Sequence, residues 1–389
     1  LYNVLAEHWI PYTVEAVATA DDGTVVRQVT PEAFRSVAWV YGNPVLHHTV
    51  AMPVPKRGLY RLKINLLANG EVVTTRETTF ALLAPNTRKY RTESPFGTWD
   101  FAGGHVTPND PDLRGSLLVK AGLRYGLSEQ PLAMRQKYGV LPGGDLAVSS
   151  AAEIKELQEQ IKKDPTTPVP ARFLVFHENA VSGPHITRIP DLFTGRAPYK
   201  MSADEEKFFK GKDLWGRAAE VVPAIRAAFP QSEIYFGNTT PHLLEEFLRN
   251  GWPVKDLGNI GNESGSFMRL PETQPTDFVS ANACMWMLRQ IADHYGAKDV
   301  PMRQCLEICY PNSQPGNLTE MTQAAYLVRQ NIHSLAWRIP VIRPMTLSDM
   351  GNSYHNSNWG AAGLMHAWPN ASPKPAYVAF AVQTQVLDG

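Results

Sequence analysis

The sequence predicts an α/β chain: a (β/α)8 TIM barrel preceded by a small N-terminal β-sandwich. Three observations predict it. Residues 1 to 86 alternate apolar and polar side chains between turn signals. From residue 95 onward, short apolar runs alternate with segments of helical period, the pattern of a parallel sheet with crossover helices. Several carboxylates then fall where those runs end, the end at which such barrels carry their function.

The first region is read from its strands. "YRLKINL" sets Tyr60, Leu62, Ile64 and Leu66 against Arg61, Lys63 and Asn65, a half-buried strand. "ANGE" (68–71) turns the chain into "VVTTRETTFALLAP", because Asn-Gly supplies the left-handed residues of a tight hairpin. "ADDGTVV" near residue 20 reads as a second hairpin. Several short strands with turns between them suggest a sandwich over 1–86. "APNTRKYRTESP" is polar and ends in Pro, so the boundary falls there and the barrel spans 95–389.

Eight strands are read in the second region: "FGTWDF", "LRYGLS", "YGVLPGG", "RFLVFHE", "SEIYFGN", "LGNIGN", "MRQCLEICY" and "PVIRPMTL". The third has the weakest pattern, and a seven-stranded or doubly wound sheet is the alternative. Helices fall between them. "SAAEIKELQEQIKK" carries Ile154, Leu157 and Ile161 at helical spacing, and "KDLWGRAAEVVPAIRAAF" and "MTQAAYLVRQNIHSLAW" are longer. Trp286 in "CMWMLRQI" reads as core.

Composition narrows the function classes. Lys plus Arg and Asp plus Glu both number 37, which leaves no net field to attract nucleic acid or an anionic membrane. No segment reaches the roughly 18 to 20 apolar residues that span a bilayer. The chain opens at "LYNVLAEHWI" without Met, as a mature or trimmed chain does. Cys305 and Cys309 on one strand would stand about 13 Å apart, beyond the reach of a disulfide. With Cys284 they read as small buried hydrophobes. No strand end carries paired His or His-x-His, so neither a metal nor another cofactor is expected.

"FLVFHENAVSG" (173–183) states the functional question: an apolar strand runs straight into His177, Glu178 and Asn179. Alternation puts Leu174, Phe176 and Glu178 on one face. On the seventh strand it puts Arg303, Cys305, Glu307 and Cys309 on one face, with Leu306 and Ile308 on the other. Glu263 follows the sixth strand and Glu129 the second. Two inward carboxylates, one to protonate a leaving oxygen and one to attack or activate water, are what glycoside hydrolysis needs. Sugars also need flat apolar faces and hydrogen-bonding groups. Trp99, His105, Asn179, Asn238, Asn262, Tyr310, Asn312 and Trp359 all fall at or after strand ends. The plainer readings are structural: Glu178 capping a helix or pairing with Arg, and Glu307 pairing with Arg303 or Arg343. Glu263 reads as a loop residue or a substrate hydrogen-bonder rather than a nucleophile, and His105 as a substrate contact or a packed histidine.

A Glu ending strand four, a Glu ending strand seven and the closing "WGAAGLMHAWPNASPKPAYVAF" together resemble clan A glycoside hydrolases, nearest to family 39. In that clan a run similar to "PKPAYVAF" (373–380) leads from the loop after strand eight into the last helix. The resemblance covers residues 95–389. It implies a retaining mechanism with Glu178 as acid/base, Glu307 as nucleophile, a carbohydrate substrate and no cofactor. The clan usually has Asn directly before its acid/base, where this chain has His177. The competing expectation is a non-catalytic carbohydrate-binding or surface structural protein on the same barrel. Four matches to the glycosylation acceptor pattern, "NTT", "NES", "NLT" and "NAS", accompany an expected extracellular, periplasmic or cell-surface location.

Overall fold

The computed structural model describes residues 11–30, 34–35, 49–99, 111–126, 132–141, 146–175, 191–195, 203, 214–236, 241–249, 251–265, 281–308, 319–343, 346–349, 361–367 and 371–388. Among them, no helix is long and apolar enough to cross a membrane.

The N-terminal region forms a five-stranded antiparallel sheet of β1 (Pro11–Ala20), β2 (Val25–Val29), β3 (Phe34–Arg35), β4 (Gly58–Ala68) and β5 (Glu71–Leu82). The order is β2-β1-β4-β5, with β3 on β1 beyond the end of β2. Both expected hairpins are present. Asn69 and Gly70 take φ of 51° and 85°, the two left-handed residues that a two-residue loop of matching twist requires. Tyr60 is buried and its ring stacks on Phe80 at 5.2 Å, while Arg61 and Lys63 on the other face are exposed. The described residues make one sheet, and the second layer of the expected sandwich is not among them.

The expected parallel strands follow. Strands β6 (Leu146–Ala147), β7 (Arg172–Leu174), β8 (Glu233–Phe236), β9 (Asn259–Gly265) and β10 (Met302–Ile308) form one parallel sheet in chain order. Single parallel bridges extend the series: Ile342 to Phe96, Gly97 to Tyr125 and Tyr125 to Leu141. Leu141 of the expected third strand bridges the second, and Leu146–Ala147, just past the run read as that strand, pairs with the fourth. The eighth stands beside the first, through Gly97 N–H to Ile342 O (2.9 Å) and Ile342 N–H to Pro95 O (2.8 Å). Among the described residues, no pair joins β10 to the Ile342 segment.

Helices alternate with these strands: α1 (Pro111–Lys120), α2 (Leu132–Tyr138), α3 (Ala151–Lys163), α4 (Asp191–Thr194), α5 (Leu214–Ala228), α6 (Pro241–Arg249), α7 (Ala281–His294), α8 (Glu320–Ala336) and α9 (Pro375–Leu387). Ser150 accepts from the Glu153 N–H and Thr319 from the Thr322 N–H, so α3 and α8 start on side-chain caps. Trp286 is half-buried and its ring lies 5.2 Å from that of Phe193. The main core holds Phe173, Val175, Ile234, Phe236, Ile260 and Met302 together with residues of the helices. Leu174 and Tyr235, between them in sequence, form a separate small cluster. Strict alternation along β7 and β8 thus gives each strand a helix-facing side and a second buried side, as a parallel sheet demands.

The polar boundary segment is fastened to the second region. Arg88 donates to Ala381 O (2.5 Å) and Thr384 Oγ1 (3.1 Å) on α9, and Arg91 to Tyr138 O (2.9 Å) and Gly139 O (3.1 Å). The Asp388 carboxylate accepts from the N–H groups of Lys89 and Tyr90.

Gly97 marks the tightest contact between the first two strands of the parallel series. A Cβ there would sit 2.4 Å from Tyr125 Cβ and 2.9 Å from Tyr125 O. Gly97→Ala is expected to destabilise the fold by about 1–3 kcal/mol through overpacking. Urea titration reads this as a lower midpoint, and an unchanged midpoint would refute the close approach.

Candidate functional site

Strand polarity decides where the candidates stand. Arg172 and Tyr235 are buried along the sheet, with the Arg172 guanidinium 5.3 Å from the Tyr125 ring centre. Leu174 shares its side of β7 with Arg172 by alternation, while Phe173 and Val175 belong to the helix-facing core. The expected placement of Phe176 and Glu178 on that side is a reading of the sequence, and Phe176 lies outside the described residues. Glu178 itself, with His105, Glu129, His177, Asn179, Asn238, Tyr310, Asn312 and Trp359, lies outside the described residues.

Four of the sequence candidates are within them. Trp99 is half-buried and directly follows the buried Thr98 at the end of the first strand. Asn262 and Glu263 belong to β9, and Glu307 to β10, by their backbones. Glu263 is therefore a strand residue and not a loop residue, because β9 continues to Gly265. Glu263 pairs with Leu306 and Glu307 with Ser264, so the two glutamates occupy adjacent strands one step apart.

One expectation about β10 needs correcting. Arg303 pairs with Gly261, yet Glu307 pairs with Ser264, three residues on, because the register shifts at Cys305. Four steps on β10 match three on β9, which marks a bulge. The simple alternation that put Arg303 and Glu307 on one face is interrupted there. Arg303 donates to Glu233 on β8, with Nη2 3.3 Å from Oε1.

A second group of polar residues gathers beyond the eighth strand. Strand β11 (Thr346–Ser348) runs parallel to β12 (Gly363–Met365), which the sequence pattern did not reveal. Asp349 follows β11, His366 follows β12, and Lys374 immediately precedes α9. The Lys374 ammonium is buried and donates to Asp349 Oδ1 (2.5 Å) and Ala361 O (2.9 Å). Asp349 Oδ1 also accepts from the Gly363 N–H at 3.0 Å. Burial pushes the Asp349 carboxyl up, against the opposing attraction of Lys374.

His366 ties the neighbouring elements together. Its Nε2 lies 2.9 Å from Glu320 Oε1 at the start of α8, and its Nδ1 lies 2.9 Å from Ser372 Oγ. The hydrogen bond to His366 holds the Glu320 carboxyl below its ordinary value, with smaller help from Lys374 and Arg61. Nothing local in the sequence announces this group. The apolar run of strand eight ends at Leu347, two residues before Asp349, and the Lys in "PKPAYVAF" carries no sign of its distant partner.

No family model matches the sequence, and no curated protein sequence matches it. Solved structures do. The chain is similar to a family 39 glycoside hydrolase from the gut symbiont Bacteroides cellulosilyticus WH2, with 14% identity and a TM-score of 0.65, over 97% of this chain and 78% of that one. It is also similar to a GH39 β-xylosidase from Caulobacter crescentus, with 13% identity and a TM-score of 0.47, over 74% of this chain and 70% of that one. At 14% identity the first likeness is one of fold, and it spans both regions of this chain.

Two outcomes follow from the second group. Lys374→Ala leaves Asp349 buried without its counter-ion and is expected to cost about 3–5 kcal/mol in urea titration. Lys374→Met combined with Asp349→Leu should recover most of that loss, since it removes both charges. Glu320 has a lowered folded value, so its contribution is complete above the ordinary carboxyl value of 4.5 and is lost as pH falls through the folded value. Unfolding midpoints of wild type and Glu320→Gln should therefore converge as pH falls from about 6 to about 3. A gap that widened with acid would contradict the His366–Glu320 assignment.

Proposed function

We propose that the chain is a retaining glycoside hydrolase acting on an oligo- or polysaccharide, with Glu178 as acid/base and Glu307 as nucleophile. The observation that carries this reading is the strand order. An eighth strand beside the first, with the others following in sequence, is the order of a sheet wrapped into a closed (β/α)8 barrel. In such a barrel the ends of β7 and β10 lie at one mouth, where the expected Glu178 and Glu307 would meet. The fold likeness to a family 39 enzyme supports the same reading.

The chemistry needs two carboxyl groups in opposite states. Glu178 gives its proton to the glycosidic oxygen as the bond from that oxygen to the anomeric carbon breaks. Glu307, ionised, forms an ester to the anomeric carbon. Water then attacks the same carbon, Glu178 takes its proton, and the Glu307 carboxylate leaves. Two displacements return the starting configuration. Direct attack requires the carboxyl groups about 5–5.5 Å apart, against roughly 6.5–9.5 Å when water must fit between them. Glu263, one register step from Glu307, is assigned a substrate hydrogen bond, and Trp99 an apolar platform. The N-terminal sheet is an accessory to this site, and a secreted or cell-surface location suits a polysaccharide substrate.

The test is product stereochemistry and variant kinetics on a panel of aryl and oligosaccharide glycosides. Glu307→Gly should abolish turnover, with partial return when azide fills the vacated space. Glu178→Ala should slow poor leaving groups far more than activated ones, by about 10²–10⁴-fold. Glu263→Gln should retain measurable turnover. An inverted first product would sink the nucleophile assignment. A chain that binds oligosaccharide and turns over none of the panel is a carbohydrate-binding barrel without the chemistry.

A further inference from the structure

Three side chains beyond the eighth strand form an unbroken relay on the wall of a cleft. The cleft has a volume of about 760 Å³, and Glu320, His366 and Ser372 line it opposite the N-terminal sheet. Glu320 Oε1 lies 2.9 Å from His366 Nε2, and His366 Nδ1 lies 2.9 Å from Ser372 Oγ. The Glu320 carboxyl is held below its ordinary value by the bond to His366, so near neutral pH it is ionised and can only accept. Nε2 therefore carries the ring proton. A neutral imidazole has one N–H, which leaves the Nδ1 lone pair to accept from the Ser372 hydroxyl. Carboxylate, imidazole and hydroxyl in that order make a nucleophile, its base and the group that orients the base.

Two further observations point the same way. Ala371, directly before Ser372, takes φ of 35°, a left-handed conformation that is costly for a residue with a Cβ and gathers at functional sites. The facing wall brings a cation to the same place. Thr79 Oγ1 donates at 2.5 Å to the carbonyl of Pro373, one residue after Ser372, and Arg61 is the cross-strand partner of Thr79. Directly opposed strand residues have their Cβ atoms about 4.5–5.5 Å apart. The exposed Arg61 therefore stands on the sheet beside the Ser372–Pro373 segment, and its charge is felt at Glu320.

We propose that Ser372, His366 and Glu320 form a second catalytic site, an esterase centre that hydrolyses carboxylic esters. Ser372 Oγ attacks the ester carbonyl carbon as its proton passes to His366 Nδ1. The Arg61 guanidinium takes the charge that develops on the carbonyl oxygen. The bond from the acyl carbon to the alcohol oxygen breaks, and the alcohol leaves with the proton from Nδ1. Water then gives a proton to Nδ1 and adds to the acyl carbon. The Ser372 oxygen departs with that proton, and the free acid is released. Glu320 keeps Nε2–H in place and stabilises the imidazolium between the transfers. None of these groups belongs to the glycosidase reading, so loss of either activity leaves the other in place.

The experiment uses the full chain and two readouts. Wild-type protein is treated with a fluorophosphonate and mapped by mass spectrometry, and the adduct should fall on Ser372. Hydrolysis of p-nitrophenyl acetate and butyrate is then followed against buffer. Wild type should turn over at least one of them, and Ser372→Ala should return the rate to that of buffer. His366→Gln should slow acylation by about 10²–10⁴-fold. Arg61→Ala should slow it by about 10²–10³-fold. Glu320 is a positioning residue that acts through His366, so Glu320→Gln should lower kcat and leave KM unchanged. Urea midpoints of the variants separate lost chemistry from lost fold, and the wild-type adduct needs no variant. Hydrolysis that survives Ser372→Ala overturns the proposal. An adduct on another serine with Ser372 unlabelled does so too, as does the absence of both hydrolysis and adduct.

Discussion

Lys374 and Asp349 meet out of water, and the geometry beyond the eighth strand follows from keeping that pair intact. A buried ammonium is tolerated only when its hydrogen bonds are filled, and Ala361 O and Asp349 fill two of them. For Asp349 to be held, the Gly363 N–H must reach it, so β12 must run against β11 with no side chain between them. A Cβ on Gly363 would sit 2.3 Å from the Asp349 nitrogen and 2.3 Å from the Ser348 carbonyl carbon. Lys374 stands one residue before Pro375, which opens α9 at the position where a missing N–H costs nothing. Its neighbour Pro373 offers the carbonyl on which Thr79 of the N-terminal sheet docks. One ion pair therefore sets the strand end, the start of the last helix and a seat for the other region.

The second fixed point of that sheet lies in the boundary segment. Arg88, Arg91 and the backbone of Lys89 and Tyr90 make their bonds to α9, Asp388 and the end of α2. Arg91 satisfies carbonyls at the end of α2, where helical partners are missing, and Asp388 takes two N–H groups of the segment itself. A segment that is polar by composition is thus tied along its length. With Thr79 on Pro373 and Arg88 on α9, the sheet is held at two separated places, and its polar face is kept opposite the strand ends.

Local pattern carried most of the fold and part of the site. Period-two alternation in "YRLKINL", the Asn69-Gly70 turn and the helical spacing of Ile154, Leu157 and Ile161 all depend on near neighbours, and all are present in the structure. The split of Phe173 and Val175 from Leu174 followed from alternation as well. What escaped depends on partners far along the chain. The bulge at Cys305 exists only relative to β9, and nothing in "MRQCLEICY" announces it. Strand β12 is three residues long, too short for a period to show. Asp349 and Lys374 are 25 positions apart and become a pair only when the parallel strands and the last helix are in place.

The polar face of the N-terminal sheet explains why a cleft exists at all. Its inner half is closed: Arg27, Glu15, Asn65 and Thr75 link β2, β1, β4 and β5 side chain to side chain, so Glu15 and Asn65 can be buried at small cost. Beside it, Arg61 and Lys63 are exposed, with Lys63 across from Glu77 in the register and Arg61 acting on Glu320 through space. Packing the second region tightly against them would take two cations out of water, which costs several kcal/mol per ion before any pairing offsets it. The low-cost arrangement is contact at Thr79 and open, solvated space over Arg61 and Lys63, with the carboxylates of Glu320 and Asp349 on the other side. The cleft is therefore the consequence of a sheet whose polar face is satisfied in one half and left charged in the other.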